Sequence, residues 1–235
     1  MVVKPYHHIP IQDCGEPLVP IPLEQFAVVT PHPYVVLGAP YGEHSPYYLR
    51  AGVLQALLQA QTHLQKQNPG WRIQIFDAYR PVAVQQFMVD HTYQQLLNTW
   101  RSRHAGSPEP PPRDHLLAQV HQFWAVPSHK LTTPPPHSTG AAIDITLVDA
   151  QQQTVNMGSE IDEISERSSP NYFADRPGGE KFHQHRTRLA KAMQAAGFRQ
   201  HPQEWWHFSL GDQLWAWLAH TPKKAPQTAR YGRAA

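Results

Sequence analysis

The spacing of apolar residues predicts helices in the first half of the chain. From Leu49 onward, apolar residues recur every three or four positions, which indicates an amphipathic helix over 49–66 with a glutamine-rich outer face. The turn sequence Asn-Pro-Gly at 68–70 ends this helix. The same spacing predicts a second helix over 82–100 and a shorter one over 114–124.

Alternating and continuous apolar runs predict short strands. One is expected at 141–148, and two others at 72–76 and 206–210. Two apolar pieces between the N-terminal prolines, at 26–29 and 34–37, are predicted to be short strands or extended segments. The strands are therefore short and scattered along the chain.

Further helices and one domain complete the predicted fold. Apolar residues over 182–193 predict a helix that Gly197 caps, and a short helix is expected over 214–218. Because strands and helices do not alternate regularly, we expect an α+β fold in which helices flank a small antiparallel sheet. One domain is expected over 1–220, followed by a flexible basic tail over 221–235.

Composition narrows the classes of function. The chain has 235 residues and a formal net charge of +2, so charge gives no argument for a nucleic-acid partner. Its single cysteine, Cys14, excludes an intrachain disulfide and a cysteine-based zinc site. No apolar run approaches the ~20 residues of a membrane-spanning helix. We expect no membrane partner and a cytoplasmic location, whereas the oligomeric state stays unknown.

A histidine and an aspartate stand at the start of the strand predicted at 141–148. His137 ends a polar loop, and Asp144 lies among apolar residues, where an unpaired charge would cost several kcal/mol. The carboxylate therefore needs an arginine, a cage of hydrogen bonds or a metal ion. His129 competes with His137 as a ligand, but its loop beside Lys130 is a poorer place for a cation.

The sequence Glu-Trp-Trp-His-Phe at 204–208 offers one more histidine and one more carboxylate. In a regular strand Glu204 and His207 would point to opposite faces, so both reach one site only if the strand begins after Glu204 or a bulge re-aims it. Pro202 favours a late start. His207 would then be a third ligand on a neighbouring strand, whereas the two tryptophans belong to the core and pocket wall.

These residues suit a hydrolase with one zinc ion in each chain. Three protein ligands leave an open position, where zinc lowers the pKa of a bound water to about 7 and a nearby carboxylate takes its proton. Glu204 is the expected base, and Arg80 the group that stabilises the oxyanion. Asp77 either holds Arg80 or serves as a surface ion pair or turn cap.

Four motifs occur in a fixed order: Phe-Asp-Ala-Tyr-Arg-Pro, His-Ser-Thr-Gly-Ala-Ala-Ile-Asp-Ile-Thr-Leu, Met-Gly-Ser-Glu-Ile-Asp and Glu-Trp-Trp-His-Phe. Together, over about 48–210, they resemble the zinc D-alanyl-D-alanine dipeptidases of the vancomycin-resistance type. The wider zinc group includes D,D-carboxypeptidases and the hedgehog signalling domain. The His-Glu-x-x-His motif of other metalloproteases is absent from the sequence.

The resemblance implies hydrolysis of D-Ala-D-Ala, a peptidoglycan fragment, by a single metallopeptidase domain with its zinc site on the central strands. It implies zinc binding by His137, Asp144 and His207, catalysis by Glu204 and Arg80, and roles toward the substrate for Asp162 and Asp77. Asp162 would receive the ammonium of the dipeptide, through a charge-assisted hydrogen bond worth about 1.5–3 kcal/mol. The chain departs from the family at 134–136, where prolines replace serines.

Two other functions are compatible with these residues. A D,D-carboxypeptidase would use the same chemistry on longer peptidoglycan stem peptides and would tolerate a blocked amine. A non-catalytic zinc-binding module of the hedgehog kind would need neither Arg80 nor Glu204, so the presence of both argues against it. Hydrolysis of a small dipeptide is therefore the favoured function.

Overall fold

A mixed sheet of short strands forms the centre of the protein, in a computed structural model that describes residues 4–104, 109–219 and 228–234. The strands are β1 (Leu18–Pro20), β2 (Ala27–Val28), β3 (Tyr48–Arg50), β4 (Arg72–Asp77), β5 (Ala142–Val148), β6 (Arg199–Gln200) and β7 (His207–Ser209). An antiparallel pair joins β1 to β3, and the other strands form a sheet in the order β2-β4-β5-β7-β6. In this sheet β2 and β4 are parallel, whereas the other pairs are antiparallel. The predicted α+β class is confirmed.

The helices follow the predicted periodicity closely. They are α1 (Pro33–Val36), α2 (Ala51–Gln67), α3 (Val82–Arg103), α4 (Arg113–Phe123), α5 (Glu180–Ala195) and α6 (Gln213–Ala219). α2 begins later than predicted because Leu49 belongs to β3, and Gly197 follows α5 in the left-handed conformation, at φ 92°. None of the helices described is long and apolar enough to cross a membrane.

The extended segment predicted at 34–37 is wrong, because the chain forms the helical turn α1 there. Pro33 begins this turn with a backbone angle that suits a helix, and the amide of Leu37 donates to its carbonyl at 3.1 Å. Val35 and Val36 are exposed, so their apolar character reflects neither a strand nor the core. The local hydrogen bonds therefore prevail over the β preference of valine.

Helix packing buries the central strand on both faces. All seven residues of β5 are buried, whereas burial alternates along β4. α2 packs against α5, and together with β4 and β5 they form the larger apolar core. A second apolar cluster joins α3 and α4 to Tyr34 and Tyr41. Asp144 in β5 consequently lies in the interior of the protein.

The prediction of a flexible tail over 221–235 does not apply to residues 228–234, which pack against the N-terminal segment. Ala229 bridges to Ile11, and its amide donates to the carbonyl of Pro10 at 2.8 Å. Tyr231 is buried and donates its hydroxyl to Glu16 at 2.8 Å. The prediction relied on the basic residues and overlooked the buried ones between them. The two lysines at 223 and 224 lie outside the described residues.

Candidate metal centre and active site

Two neighbouring strands bring a carboxylate and an imidazole together. The antiparallel register of β5 and β7 pairs Asp144 directly with His207. β7 begins at His207, so Glu204 lies in the preceding loop, as the spacing predicted. Glu204 is nevertheless buried, at 7% exposure, and the two tryptophans that follow it, Trp205 and Trp206, belong to the larger apolar core.

His137 reaches the same place from a helical turn ahead of β5. The turn spans Pro136–Thr139 and ends at Gly140, whose φ of 70° is left-handed. A side chain at 140 would also collide with Leu18, so glycine is required there. His137 Nδ1 lies 2.7 Å from the carbonyl oxygen of Ala78, which fixes the orientation of the ring.

We call His137, Asp144 and His207 the ligand cluster. His137 Nε2 lies 3.2 Å from Asp144 Oδ2, and His207 Nδ1 lies 3.0 Å from Asp144 Oδ1. The two ring nitrogens are 3.2 Å apart. All three residues are buried, and one ligand atom from each lies within 4.8 Å of the others. The sequence predicted these residues as ligands, and the fold brings them to one point.

The hydrogen bonds around the ligand cluster indicate where its protons lie. His137 Nδ1 faces a carbonyl, which can only accept, so in the neutral ring that metal binding requires, Nε2 carries the lone pair. Ser209 donates to Asp212 at 2.8 Å and therefore accepts from His207 Nε2 at 3.3 Å, which leaves the lone pair on Nδ1. Two lone pairs and the carboxylate of Asp144 thus converge. This donor set fits a metal ion, and each ring is oriented by its other nitrogen as metal-binding histidines are.

Arg80 lies beside the ligand cluster and is held on several sides. Its Nε donates to Asp77 at 2.8 Å, and its Nη2 lies 3.2 Å from Asp144 Oδ2. The guanidinium also stacks 5.0 Å from the ring centres of both Tyr34 and Trp124. Such a rigid guanidinium keeps its position when a neighbouring group changes charge.

The predicted role of Asp77 toward the substrate requires a correction, because Asp77 is not among the residues that line the cavity. Its side chain is fully buried behind Arg80, where it also accepts hydrogen bonds from His32 at 3.2 Å and Tyr41 at 3.1 Å. Although burial raises the pKa of Asp77, Arg80 and the nearby histidines hold it below its usual value. Asp77 therefore orients Arg80, which was one of the alternatives the sequence left open.

Two further carboxylates line the cavity beside the ligand cluster. Glu204 has oxygens 3.6 Å from His201 Nδ1 and 3.9 Å from His207 Nδ1. Burial, and then the charges of Asp144 and Asp162, raise the pKa of Glu204 well above its usual value. Asp162 accepts a hydrogen bond from Tyr34 at 2.6 Å, and burial followed by the charge of Asp144 raises its pKa to about 6. A dication in the ligand cluster would oppose both shifts.

The cavity encloses about 480 Å³, including its mouth. Six of the seven predicted residues line it: Arg80, His137, Asp144, Asp162, Glu204 and His207. The sequence did not indicate the other polar residues on its wall, Lys4, Tyr6, Gln85 and His201, since they come from segments without a motif. His129 is exposed and does not belong to the ligand cluster.

Comparison with known proteins supports one family. Residues 28–227 match the family model described as D-ala-D-ala dipeptidase. A protein of Synechocystis sp. named D-alanyl-D-alanine dipeptidase is 52% identical over 241 residues, which cover 98% of this chain and 97% of that protein. A protein of the same name in Enterococcus faecalis is 29% identical, over 68% of this chain and 72% of that protein. Another in Escherichia coli is 38% identical, over 32% of this chain and 37% of that protein.

The family match extends beyond the region of the four motifs at both ends. It includes Val28 of β2 and all of α6, as well as the segments that carry the ligand cluster. Because the match covers most of the chain and the Synechocystis protein aligns with nearly all of it, the chain belongs to the D-ala-D-ala dipeptidase family of metallopeptidases.

Proposed function

We propose that this protein hydrolyses D-Ala-D-Ala to two D-alanines, with one zinc ion held by the ligand cluster. The observation that carries the proposal is the convergence of two imidazole lone pairs and a carboxylate beside the buried Glu204. The names of the relatives support the choice of substrate. The nitrogen and oxygen donors of the cluster favour zinc over calcium or magnesium, which prefer oxygen ligands.

The carboxyl group of Glu204 would move the protons of the reaction. A zinc ion, when bound, would supply Lewis acidity to the attacking water and to the peptide carbonyl. Glu204 lies close enough to His207 to take a proton from that water, and its buried position suits a group that must also return the proton to the leaving amine. The other two carboxylates among the described residues that line the cavity are already engaged. Asp144 belongs to the ligand cluster, and Asp162 accepts a hydrogen bond from Tyr34.

Arg80 would stabilise the negative oxygen that develops as water attacks the carbonyl. Its guanidinium lines the cavity next to Asp144, and Asp77 and the aromatic rings keep it in place. A preorganised donor of this kind typically contributes about 10²- to 10³-fold to the rate. Its fixed position supports this role, because the group need not reorganise during the reaction.

Asp162 would bind the ammonium group of the dipeptide. It lines the same cavity and is oriented by the hydroxyl of Tyr34. A carboxylate at this point favours a free amine over an acylated one, since only the free amine brings a positive charge. This supports a dipeptidase rather than a carboxypeptidase, and a role in cell-wall metabolism stays a prediction.

The test compares zinc-loaded protein on D-Ala-D-Ala, L-Ala-L-Ala and N-acetyl-D-Ala-D-Ala, with ninhydrin detection of released alanine. We expect release from D-Ala-D-Ala, loss of activity with a chelator, and recovery with Zn²⁺ but not Mg²⁺. Equal cleavage of the acetylated substrate would favour the carboxypeptidase. Stoichiometric zinc without any hydrolysis would favour the non-catalytic module.

A further inference from the structure

The N-terminal segment forms part of the catalytic cavity. A helical turn over Pro5–His8 packs against α6, and Lys4 and Tyr6 line the same cavity as Glu204. The amide of Gln213 donates to the carbonyl of Ile9 at 2.7 Å, which fastens the segment after the turn. The segment thus contributes side chains to a site whose recognised motifs begin more than seventy residues later.

A dipeptide with unmodified ends brings two charges into this cavity. Its ammonium has Asp162 as a partner under the proposed function, so its carboxylate requires a cation. Arg80 is engaged by Asp77 and Asp144. His201 faces the carboxylate of Glu204, with its Nδ1 3.6 Å from a carboxylate oxygen. Lys4 is the remaining cation among the described residues that line the cavity.

The residue that precedes His137 on the cavity wall offers a ligand no donor. Pro136 lines the cavity immediately before His137, and proline has neither a backbone N–H nor a polar side chain. Residues 134 and 135 are also prolines. The carboxylate of a ligand must consequently find its donors elsewhere on the wall.

Lys4 is positioned to supply those donors. Lys4 lines the cavity, and its ammonium donates to the carbonyl oxygen of His121 at 2.7 Å, in the last turn of α4, which fixes the end of the flexible side chain. An ammonium has three N–H groups, so this bond leaves two for a ligand. Burial lowers the pKa of Lys4, whereas the charge of Glu204 opposes that shift.

We infer that Lys4 binds the terminal carboxylate of the dipeptide and that the N-terminal segment therefore selects substrates with a free C-terminus. This inference rests on the proposed function and adds to it the second end of the substrate. Asp162 and Lys4 together would measure the length of a dipeptide, one charge at each end. Peptides extended or amidated at the C-terminus would lose the contact with Lys4.

The test uses zinc-loaded, full-length Lys4→Met and Lys4→Arg proteins, with Lys66→Met as a matched control on the exposed end of α2. Each is assayed on D-Ala-D-Ala and on its C-terminal carboxamide. We expect Lys4→Met to lower kcat/KM for the free acid roughly 10- to 100-fold and for the carboxamide less than about twofold, because only the acid pairs with the ammonium. Lys4→Arg should recover part of the loss, and Lys66→Met should show none.

A binding measurement separates recognition from turnover. D-Ala-D-Ala is titrated by calorimetry into zinc-loaded Glu204→Gln protein, with and without Lys4→Met. Lys4→Met should lower the affinity by the same factor by which it lowers kcat/KM. Equal losses for acid and carboxamide, or a lower melting temperature with an unchanged acid-to-amide ratio, would overturn the inference and leave Lys4 as a cap of α4. Absence of D-Ala-D-Ala turnover in the wild-type protein would instead overturn the proposed function, and the role of Lys4 with it.

Discussion

Two polar clusters of this protein differ in how their hydrogen-bonding groups are satisfied. The ligand cluster lies between β5 and β7, and the second, which we call the Arg50 cluster, consists of Arg50, Asp13, Glu16 and Tyr231. In the ligand cluster two ring nitrogens face each other at 3.2 Å beside a carboxylate. When both rings are neutral, all three groups are acceptors, and a cation would satisfy all of them at once.

The Arg50 cluster contains its own donors. Arg50 donates to the carbonyls of Thr139 and Gly232 at 2.9 and 3.1 Å, and to the carboxylate of Asp13 at 3.0 Å. Glu16 accepts from the hydroxyl of Tyr231 and from a backbone amide, both at 2.8 Å. A buried charged side chain such as Arg50 therefore does not by itself mark a functional cluster. The balance of donors and acceptors does.

The largest expected effect comes from breaking the ligand cluster. Asp144→Ala removes a ligand and its charge, so the protein should lose stoichiometric zinc and most of its rate enhancement, which in enzymes is about 10⁶-fold or more. Metal analysis by mass spectrometry and release of D-alanine measure the two effects. Asp90→Ala, on the exposed face of α3, is the control. Retention of one zinc ion by Asp144→Ala would show that the metal lies elsewhere.

Glu204→Gln should separate chemistry from metal binding. Because the amide cannot take a proton from water, kcat should fall about 10²- to 10⁴-fold while zinc content and melting temperature stay the same. Glu43→Gln, at an exposed position, should leave kcat unchanged. Full activity in the Glu204 variant would reject this residue as the base.

Arg50→Met should have the opposite effect to Glu204→Gln, because it should lower the stability of the protein and leave the metal site intact. The free energy of unfolding should fall by about 3 kcal/mol, at the low end for a broken buried ion pair because Asp13 is partly exposed. Urea unfolding with and without zinc measures the loss, and Arg103→Met at the exposed end of α3 is the control. If Arg50→Met released zinc at normal stability, the contrast between the two clusters would not hold.

Ser209→Ala should weaken the metal site without breaking it. Ser209 accepts a hydrogen bond from His207 Nε2, so its removal no longer fixes the orientation and tautomer of that ring. We expect zinc affinity to fall roughly 10- to 100-fold, as measured by competition with a chelator. Ser168→Ala replaces another fully buried serine, away from the cavity, and should leave zinc affinity unchanged. An equal effect of both variants would indicate a general packing defect.

The smallest effect concerns the pH dependence of stability of the metal-free protein. The pKa of Asp162 is about 6 in the folded protein and about 4 in an unfolded chain, so the folded state binds the proton more tightly. Wild-type protein should therefore lose more stability than Asp162→Asn as pH rises from about 4 to about 6. Asparagine also tolerates the φ of 63° at this position.

Urea unfolding of both proteins at pH 4.5, 6 and 7.5, with a chelator present, measures this difference. The Asp162→Asn variant should gain about 1–2 kcal/mol relative to wild type across this range, since one pKa unit corresponds to about 1.4 kcal/mol and Asp162 is only partly buried. A difference that stays constant with pH would contradict the raised pKa.

Local pattern alone determined much of this protein. The three- and four-residue spacing of apolar residues specified α2 and α3, because a helix forms from neighbours in sequence. A carboxylate within the apolar run of β5 marked Asp144 as a group that needs a partner. The same local reasoning placed Glu204 in the loop before β7. The order of the motifs indicated the family that the comparisons then established.

Tertiary structure decided what depends on residues distant in sequence. It turned Asp77 away from the cavity and behind Arg80, and it folded Tyr231 against the N-terminal segment. It also brought Lys4 to the cavity and set the protons of His207 through Ser209. Hydrogen-bond satisfaction and burial are properties of assembled neighbours, so no local pattern carries them. The sequence specified which residues can act as ligands, and packing alone determined how they meet.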